Sequence, residues 1–163
     1  MIRGLRNVAT LVLLAASLFS CSSKDTPMTK SKAAAEILGN PEYRAISFGG
    51  YRGKERAKQP TIPQLKEDLK IMSAMGIKIL RTYNLQLAHA PNVLKAIREL
   101  KNEDPTFEMY VMLGVWIDCL NAWTDHPDHS IEDPKNNESE IQKAVRYATE
   151  YPDIVKVIAV GNE

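Results

Sequence analysis

The chain has 163 residues, of which 44% are hydrophobic and 25% are charged. This composition fits one globular domain and excludes disordered, collagen-like and coiled-coil proteins. The 21 lysine and arginine residues nearly balance the 20 aspartate and glutamate residues, so the formal net charge is +1. Such a chain has no basic excess to neutralise a phosphate backbone, and we predict that it binds no nucleic acid.

The first 20 residues have the pattern of an export signal. Arginines precede an apolar run over 8–19, which is too short to span a bilayer as a helix. The run ends just before Cys21 in a sequence that resembles the bacterial lipoprotein box, in which the cysteine is acylated. We predict a signal peptide over 1–20 and a lipid anchor at Cys21 that holds the protein in the bacterial cell envelope. Because Ser22 rather than aspartate follows Cys21, we predict that the anchor is in the outer membrane. The alternative to a lipoprotein signal is an ordinary secretory signal.

A polar segment follows the predicted anchor. Its serine, threonine and lysine residues are typical of a tether between a membrane surface and a domain. We therefore assign 21–40 to the lipidated cysteine and a linker, and 41–163 to the folded domain. If Cys21 carries lipid, Cys119 has no cysteine left within the sequence for a disulfide.

Strand and helix patterns alternate along the predicted domain. Thr61 and Gln64 form a capping box that predicts the start of the first helix, and Gly76 predicts its end. The predicted strands are 44–48, 77–83, 108–114 and 154–160, and the later helices are about 92–101 and 138–151. The order βαβαβαβ requires crossover connections and therefore predicts an α/β fold with a parallel sheet.

Two architectures fit this order: a small doubly wound sheet, or the first half of a (β/α)8 TIM barrel, which normally needs about 250 residues. The sequence stops at Glu163, directly after the fourth predicted strand. The loop over 47–53 also lacks the glycine pattern of a nucleotide-binding domain. We therefore predict about four βα units of a TIM barrel, and we expect the chain to be truncated.

The ends of three predicted strands carry motifs that resemble one family of glycosidases. Ile79-Leu-Arg-Thr-Tyr83 ends the second strand, Leu113-Gly-Val-Trp116 ends the third, and Gly161-Asn-Glu163 ends the fourth. Together, over about residues 44–163, they resemble glycoside hydrolase family 17, the β-1,3-glucanase family of barrel glycosidases.

The resemblance implies a retaining hydrolase or transglycosylase that acts on a β-1,3-glucan polysaccharide. In the family, the Asn-Glu pair lies at this position, so Glu163 is expected to be the general acid/base and Asn162 to bind a sugar hydroxyl. A retaining glycosidase also needs a nucleophilic carboxylate about 5 Å from the acid. The family places that group after the seventh strand, so we expect this chain alone to be inactive. The alternative is a non-catalytic surface lipoprotein that binds carbohydrate.

Four further residues are candidates for substrate binding. Arg81 and Tyr83 alternate onto one strand face, where arginine orients carboxylates and tyrosine contacts sugar; a structural ion pair is the alternative for Arg81. Trp116 follows a strand end and is expected to stack on a sugar ring. The family commonly has Asn-Tyr-Gly after the first strand, with a tyrosine that contacts sugar. Tyr51 is the candidate for that contact here, although it follows two glycines.

Three other features receive structural interpretations. We expect Trp123 to pack in the core. The stretch Asp125-His-Pro-Asp-His129 has possible metal ligands, but no second cluster is spaced for a tetrahedral site, so we predict a solvated loop. We expect Cys119 to be a packed thiol because the sequence places no histidine to activate it. No metal and no cofactor are predicted.

Overall fold

The computed structural model describes residues 31–161, so the predictions for the signal peptide, Cys21, Asn162 and Glu163 lie outside the described residues. The helices in this range are α1 (Ala34–Ile37), α2 (Ile62–Ala74), α3 (His89–Glu103) and α4 (Pro134–Glu150). The strands are β1 (Arg44–Ser47), β2 (Ile77–Arg81), β3 (Tyr110–Val115), β4 (Cys119–Leu120), β5 (Asp128–Glu132) and β6 (Val155–Val160). No helix in the described range is long and apolar enough to cross a membrane.

Strands β1, β2, β3 and β6 form one parallel sheet in that order. Apart from the inserted strands β4 and β5, each strand therefore pairs with the next one along the chain. A doubly wound sheet has a point where the strand order reverses, whereas the consecutive strands of a (β/α)8 barrel lie side by side. The fold is α/β, with a parallel sheet of βα units, as the sequence predicts, and its strand order is that of a barrel.

The main core lies between the sheet and helices α2, α3 and α4. It includes the fully buried residues Leu80 of β2, Leu113 of β3 and Leu69 of α2, together with Leu94 and Ile97 of α3. Full burial of such a side chain contributes about 1.5–3 kcal/mol. This layer of apolar side chains is therefore a main source of the stability that holds the strand ends in place.

A smaller cluster covers the other face of the sheet. Ile79 and Tyr110, which are neighbours across β2 and β3, form this cluster with Ile37 of α1 and Tyr43. Side chains alternate along a strand, so these residues point away from the main core. Because Ile37 belongs to the segment that we assigned to the linker, the packed structure begins before residue 41.

A charged cluster lies next to these residues, before the start of β3. Glu108 pairs with Lys32 at 3.2 Å and with Lys78 at 3.0 Å, and it accepts hydrogen bonds from Tyr43 and Tyr110. Partial burial alone would raise the pKa of Glu108, but these hydrogen bonds outweigh it and lower the pKa to about 2. In barrels, residues at the amino-terminal ends of the strands contribute to stability rather than to catalysis. The network of ion pairs and hydrogen bonds around Glu108 lies at this end and fits that role.

The first long helix has the ends that the sequence predicts. The backbone N–H of Gln64 donates to the Thr61 hydroxyl at 3.4 Å, and the backbone N–H of Thr61 donates to Gln64 Oε1 at 3.0 Å. The helix stops before Gly76, whose φ of +80° is in the left-handed region that glycine tolerates. The capping box and the glycine stop are therefore both confirmed.

The next two helices begin earlier than predicted. Helix α3 starts at His89 rather than near residue 92, and α4 starts at Pro134 rather than near residue 138. Pro91 and Pro134 occupy the first turns of these helices, where a missing N–H breaks no hydrogen bond. At α4, the Asp133 side chain also caps the helix by accepting from the backbone N–H of Asn136 at 3.1 Å.

An antiparallel hairpin, which the sequence analysis did not predict, lies between β3 and α4. In it, Cys119 is opposite Glu132, and Leu120 is opposite Asp128. The strands are short and mostly polar, so no alternation of apolar residues indicates them. The prediction of a loop at Asp128 and His129 is wrong because both lie in β5. His129 Nδ1 is also 3.4 Å from the Cys119 sulfur, a neighbour that the sequence did not indicate.

Candidate active site

The carboxyl ends of the four parallel strands define one edge of the sheet, which we call the upper edge. Tyr83 follows β2, Trp116 follows β3, and Gly161 follows β6 at this edge. The backbone N–H of Gly161 donates to the Val115 carbonyl at 3.1 Å, so the chain leaves β6 beside Trp116. Ligand sites of α/β folds form at this edge, and the candidates Tyr83 and Trp116 lie there together with the end of β6.

Arg81 lies on the face of the sheet that lines the inside of a barrel. Ile79, two positions earlier, belongs to the cluster away from the main core, and side chains at alternate positions share a face. In the sheet, Arg81 is paired with Ser47 of β1 and Met112 of β3. Its guanidinium carbon is 5.9 Å from the centre of the Tyr83 ring. The two candidates from β2 are therefore direct neighbours.

The chain after β2 passes very close to Gly114 of β3. A Cβ atom at Gly114 would lie 2.7 Å from the Tyr83 carbonyl oxygen and closer still to that of Thr82. The Gly114 N–H donates to the Thr82 hydroxyl at 3.1 Å, and the Thr82 N–H donates to the Met112 carbonyl at 3.1 Å. Because only a hydrogen atom fits at Gly114, glycine allows the close approach that fixes the backbone of Tyr83.

Tyr51 rests on a buried histidine. The rings of Tyr51 and His89 are 6.2 Å apart at an angle of 27°, and the Phe48 ring is 5.3 Å from the His89 ring. Gly50 has a φ of +64°, and a Cβ there would lie 2.9 Å from His89 Nε2. Burial lowers the pKa of His89 to about 4, so the imidazole is neutral at pH 7. This support could not be predicted, because nothing near His89 along the chain indicates its contact with the loop after β1.

A buried carboxylate connects the loops after β2 and β3. Glu140 of α4 is fully buried, and its oxygens accept from the Leu85 N–H at 3.0 and 2.9 Å and from the Trp116 N–H at 3.1 Å. On the same helix, Asn137 accepts from the Asp118 N–H at 2.8 Å and donates to the Asp118 carbonyl at 3.0 Å. Helix α4 therefore holds the backbone on both sides of the Trp116 loop. In the sequence alone, Glu140 and Asn137 look like ordinary polar positions of an amphipathic helix, so neither is indicated as a support of the site.

Trp116 is paired with a second tryptophan. The rings of Trp116 and Trp123 are 5.7 Å apart at an angle of 33°. The Trp116 indole N–H donates to Asp118 Oδ1 at 2.5 Å, and the Trp123 indole N–H donates to Asp118 Oδ2 at 2.8 Å. Trp123 is 71% exposed, so the prediction that it packs in the core is wrong. It lies in the turn between β4 and β5, outside the layer that the main core fills.

The possible metal ligands of the hairpin do not come together. Within residues 31–161, no group of three or more histidine, cysteine, aspartate or glutamate side chains is arranged to hold a metal ion. Instead, Asp128 accepts hydrogen bonds from the hydroxyl and the backbone N–H of Ser130, at 2.6 and 3.0 Å, and these lower its pKa. The carboxylate of Asp128 thus has a local structural role.

A comparison with solved structures finds a similar protein. The crystal structure of an endo-laminarinase from Formosa Hel1_33_131 matches this chain with 65% sequence identity and a TM-score of 0.78. The match covers 81% of this chain and 34% of the endo-laminarinase, so this chain spans about a third of its length. No protein-family model and no curated protein matches the chain. The chain is thus related to an endo-laminarinase and corresponds to a part of it.

Proposed function

We propose that this chain is part of a retaining β-1,3-glucan hydrolase or transglycosylase that resembles glycoside hydrolase family 17. The observation that carries the proposal is the 65% identity to an endo-laminarinase over 81% of the chain. The upper edge supports it, since Tyr83, Trp116 and the end of β6 meet there. Strand ends at this edge supply catalytic residues in barrel enzymes.

Glu163 is the proposed general acid/base. It follows Gly161, whose backbone is bonded to Val115 at the upper edge. As an acid it protonates the glycosidic oxygen of the leaving sugar, and as a base it then deprotonates the water that releases the product. The second carboxylate attacks the anomeric carbon from about 5 Å away. We propose that a later strand of the longer protein supplies this nucleophile.

The other candidates are of residue types suited to binding a sugar. We propose that Asn162 binds a hydroxyl next to the reacting carbon, and that Tyr83 and Tyr51 contact the sugar or the nucleophile. Arg81 supplies a positive charge that orients carboxylates on the inner face of the sheet. Trp116 offers an indole face to the C–H groups of a pyranose ring.

We also propose that the protein is anchored in the bacterial outer membrane through a lipid on Cys21. The basic start, the short apolar run over 8–19 and the cysteine two residues after the run support this proposal. An enzyme held in this way meets polysaccharides that are too large to cross the envelope. The substrate class and the proposed location are therefore consistent with each other.

Incubation with laminarin tests the proposed function. The protein used here and in the later experiments, called the full-length protein, is the longer protein that includes the proposed nucleophile. We expect soluble β-1,3-linked oligosaccharides, with no comparable release from cellulose or xylan. Proton NMR during the reaction should show the β-anomer first, because a retaining enzyme keeps the configuration of the bond that it cleaves. An α-anomer first would contradict retention, and binding of laminarin without cleavage would support the carbohydrate-binding alternative.

A further inference from the structure

We propose that Trp123 and Trp116, held by Asp118, form an aromatic platform that binds a β-glucan chain away from the bond that is cleaved. The ligand class in this inference rests on the proposed function. The platform belongs to the loop and hairpin between β3 and α4. Of the two tryptophans, the sequence indicates a sugar contact only for Trp116 and predicts that Trp123 packs in the core.

One carboxylate orients both indole rings. Asp118 is only 9% exposed, and each of its oxygens accepts one indole N–H, at 2.5 Å from Trp116 and at 2.8 Å from Trp123. A buried carboxylate is costly unless it is hydrogen-bonded, and bonds to a charged acceptor are stronger than neutral ones. The two rings are therefore fixed before any ligand arrives, which reduces the entropy lost on binding.

The carboxylate is itself attached to a rigid element. The Asp118 backbone exchanges two hydrogen bonds with the buried Asn137 side chain of α4, and its carbonyl also accepts from the Asp133 N–H at 3.0 Å. The contact between Cys119 and His129 joins the two strands of the hairpin that carries Trp123. The hairpin and α4 thus position the platform as parts of one scaffold.

The exposure of Trp123 indicates a ligand. A single exposed aromatic side chain needs no explanation, but an indole that is 71% exposed and also held by a buried carboxylate differs from a chance surface residue. Its open face suits a flat apolar surface, and a pyranose ring presents such a surface with hydroxyls around its rim. A neutral glucan chain therefore matches the platform better than a charged ligand.

The platform extends outward from the candidate cleavage site. Trp116 directly follows Val115, which is bonded to Gly161 at the end of β6. Trp123 contacts Trp116 from the hairpin side. A glucan that leaves the end of β6 over Trp116 meets Trp123 next, so only the longer ligands reach both rings. Affinity should therefore depend on Trp123 in proportion to ligand length.

Calorimetric titration with laminari-oligosaccharides, from laminaribiose to laminariheptaose, tests this inference. The full-length protein carries Glu163→Gln throughout, so that hydrolysis is slow. An indole with one face covered by a sugar should strengthen binding about tenfold. We therefore expect Trp123→Ala to bind laminariheptaose about tenfold more weakly than the parent does, with a much smaller loss of affinity for laminaribiose. Ile131→Ala removes another exposed apolar side chain of the same hairpin and serves as the matched control.

A second variant tests the positioning role of Asp118. In Asp118→Asn, one carbonyl oxygen replaces two acceptors, so one indole loses its partner while the size of the side chain is kept. Relative to the parent, we expect a larger loss of affinity for laminariheptaose than for laminaribiose here too, with a shift of the tryptophan emission spectrum. An unchanged spectrum with unchanged affinity would show that Asp118 does not orient the rings.

The outcomes separate this inference from the proposed function. Equal affinity of Trp123→Ala and the parent for laminariheptaose overturns the platform, and so does an equal loss at every ligand length. If the protein without the Glu163 change cleaves no laminarin but its glucan binding still depends on Trp123, the proposed function fails and the platform stands. A protein that binds no β-glucan overturns both.

Discussion

His89 makes the loop after β1 sensitive to pH. Its ring is buried between Phe48 and Tyr51, and its Nε2 atom has no hydrogen-bond partner among the described residues. A protonated imidazole needs to donate from both nitrogens, and this site offers Nε2 no acceptor. The protonated form is therefore disfavoured at this site, and burial lowers the pKa of His89 to about 4.

The stability of the protein should decrease as the pH falls through this range. The folded-state pKa of His89 is about 4, below the ordinary value of 6.5 for a histidine, so the unfolded state binds more protons between these values. The contribution of His89 to the free energy of unfolding is fully present above pH 6.5 and is lost as the pH falls toward 4. The loss amounts to at most about 3 kcal/mol. Urea unfolding of the parent and of His89→Gln at several pH values measures it.

Carboxylates titrate in both the parent and His89→Gln, so only the difference between their profiles of unfolding free energy against pH measures the effect of His89. His126→Gln removes an exposed histidine and is the matched control. We expect the control to follow the parent and His89→Gln to lose less stability on acidification. Parallel profiles for all three proteins would contradict the burial argument.

Helix α4 organises the upper edge through a single carboxylate. Glu140 accepts from Leu85 after β2 and from Trp116 after β3, and thus joins two loops that have no covalent link nearby. An amide at this position has one acceptor and introduces two donors that face backbone N–H groups. Replacement therefore leaves at least one buried donor without a partner.

We expect Glu140→Gln to lower the free energy of unfolding by about 1–3 kcal/mol, the cost of a buried polar group left unpaired. Glu138→Gln makes the same chemical change at an exposed position of the same helix and should lie within about 0.5 kcal/mol of the parent. Chemical denaturation of both variants measures the difference. Equal stabilities would mean that Glu140 does not hold these loops.

The regular elements could be predicted from the sequence because their signals are local. The capping box at Thr61, the glycine stop at Gly76 and the apolar strands follow from neighbouring residues alone. Helices α3 and α4 begin earlier than predicted, and Pro91 and Pro134 lie in their first turns, where a proline is tolerated. The hairpin was missed because its polar strands show no periodicity.

The site was harder to predict because its supports come from distant parts of the chain. The motifs that resemble a glycosidase family place Tyr83 and Trp116 at predicted strand ends, and in the structure both residues lie at the upper edge. The contacts of His89 with Tyr51 and of Glu140 with Leu85 join residues far apart in the sequence, so no local pattern reveals them. Burial decided the error at Trp123, which is apolar but exposed.

The described sheet is open at β1 and β6. Ile46 of β1 is 42% exposed, and Ile158 and Val160 of β6 are 40% and 64% exposed. Ile158 is paired with Leu113 and lies on the same face, yet Leu113 is fully buried. In a closed barrel no strand is an edge, and further βα units would cover such side chains. The exposure pattern agrees with a match to only part of a longer endo-laminarinase.

The proposed lipid anchor predicts where the protein is found in the cell. Cys21→Ala removes the acylation site but leaves the basic and apolar parts of the signal unchanged. We expect the parent to remain in the membrane fraction after a carbonate wash, and Cys21→Ala to move to the soluble fraction. Cys119→Ala, at the other cysteine, should stay with the membrane. A membrane-bound Cys21→Ala protein would rule out the anchor.

The proposed role of Glu163 as general acid/base predicts how its loss affects two kinds of substrate. A sugar leaving group needs a proton, so Glu163→Ala in the full-length protein should slow laminarin hydrolysis by about 10²–10⁴-fold. An aryl glycoside, whose phenolate leaves unaided, should lose much less in the first step. Glu150→Ala, at an exposed position of α4, should retain the parent rate on both substrates.

Rescue of Glu163→Ala by azide is the most direct measurement. The second step lacks its base in this variant, and azide needs no deprotonation, so it should restore turnover of the aryl glycoside and attack the glycosyl-enzyme intermediate. Two inversions then give a β-glycosyl azide, which NMR identifies. An α-glycosyl azide, or laminarin cleavage at the parent rate without azide, would contradict the assignment of Glu163 as the acid/base.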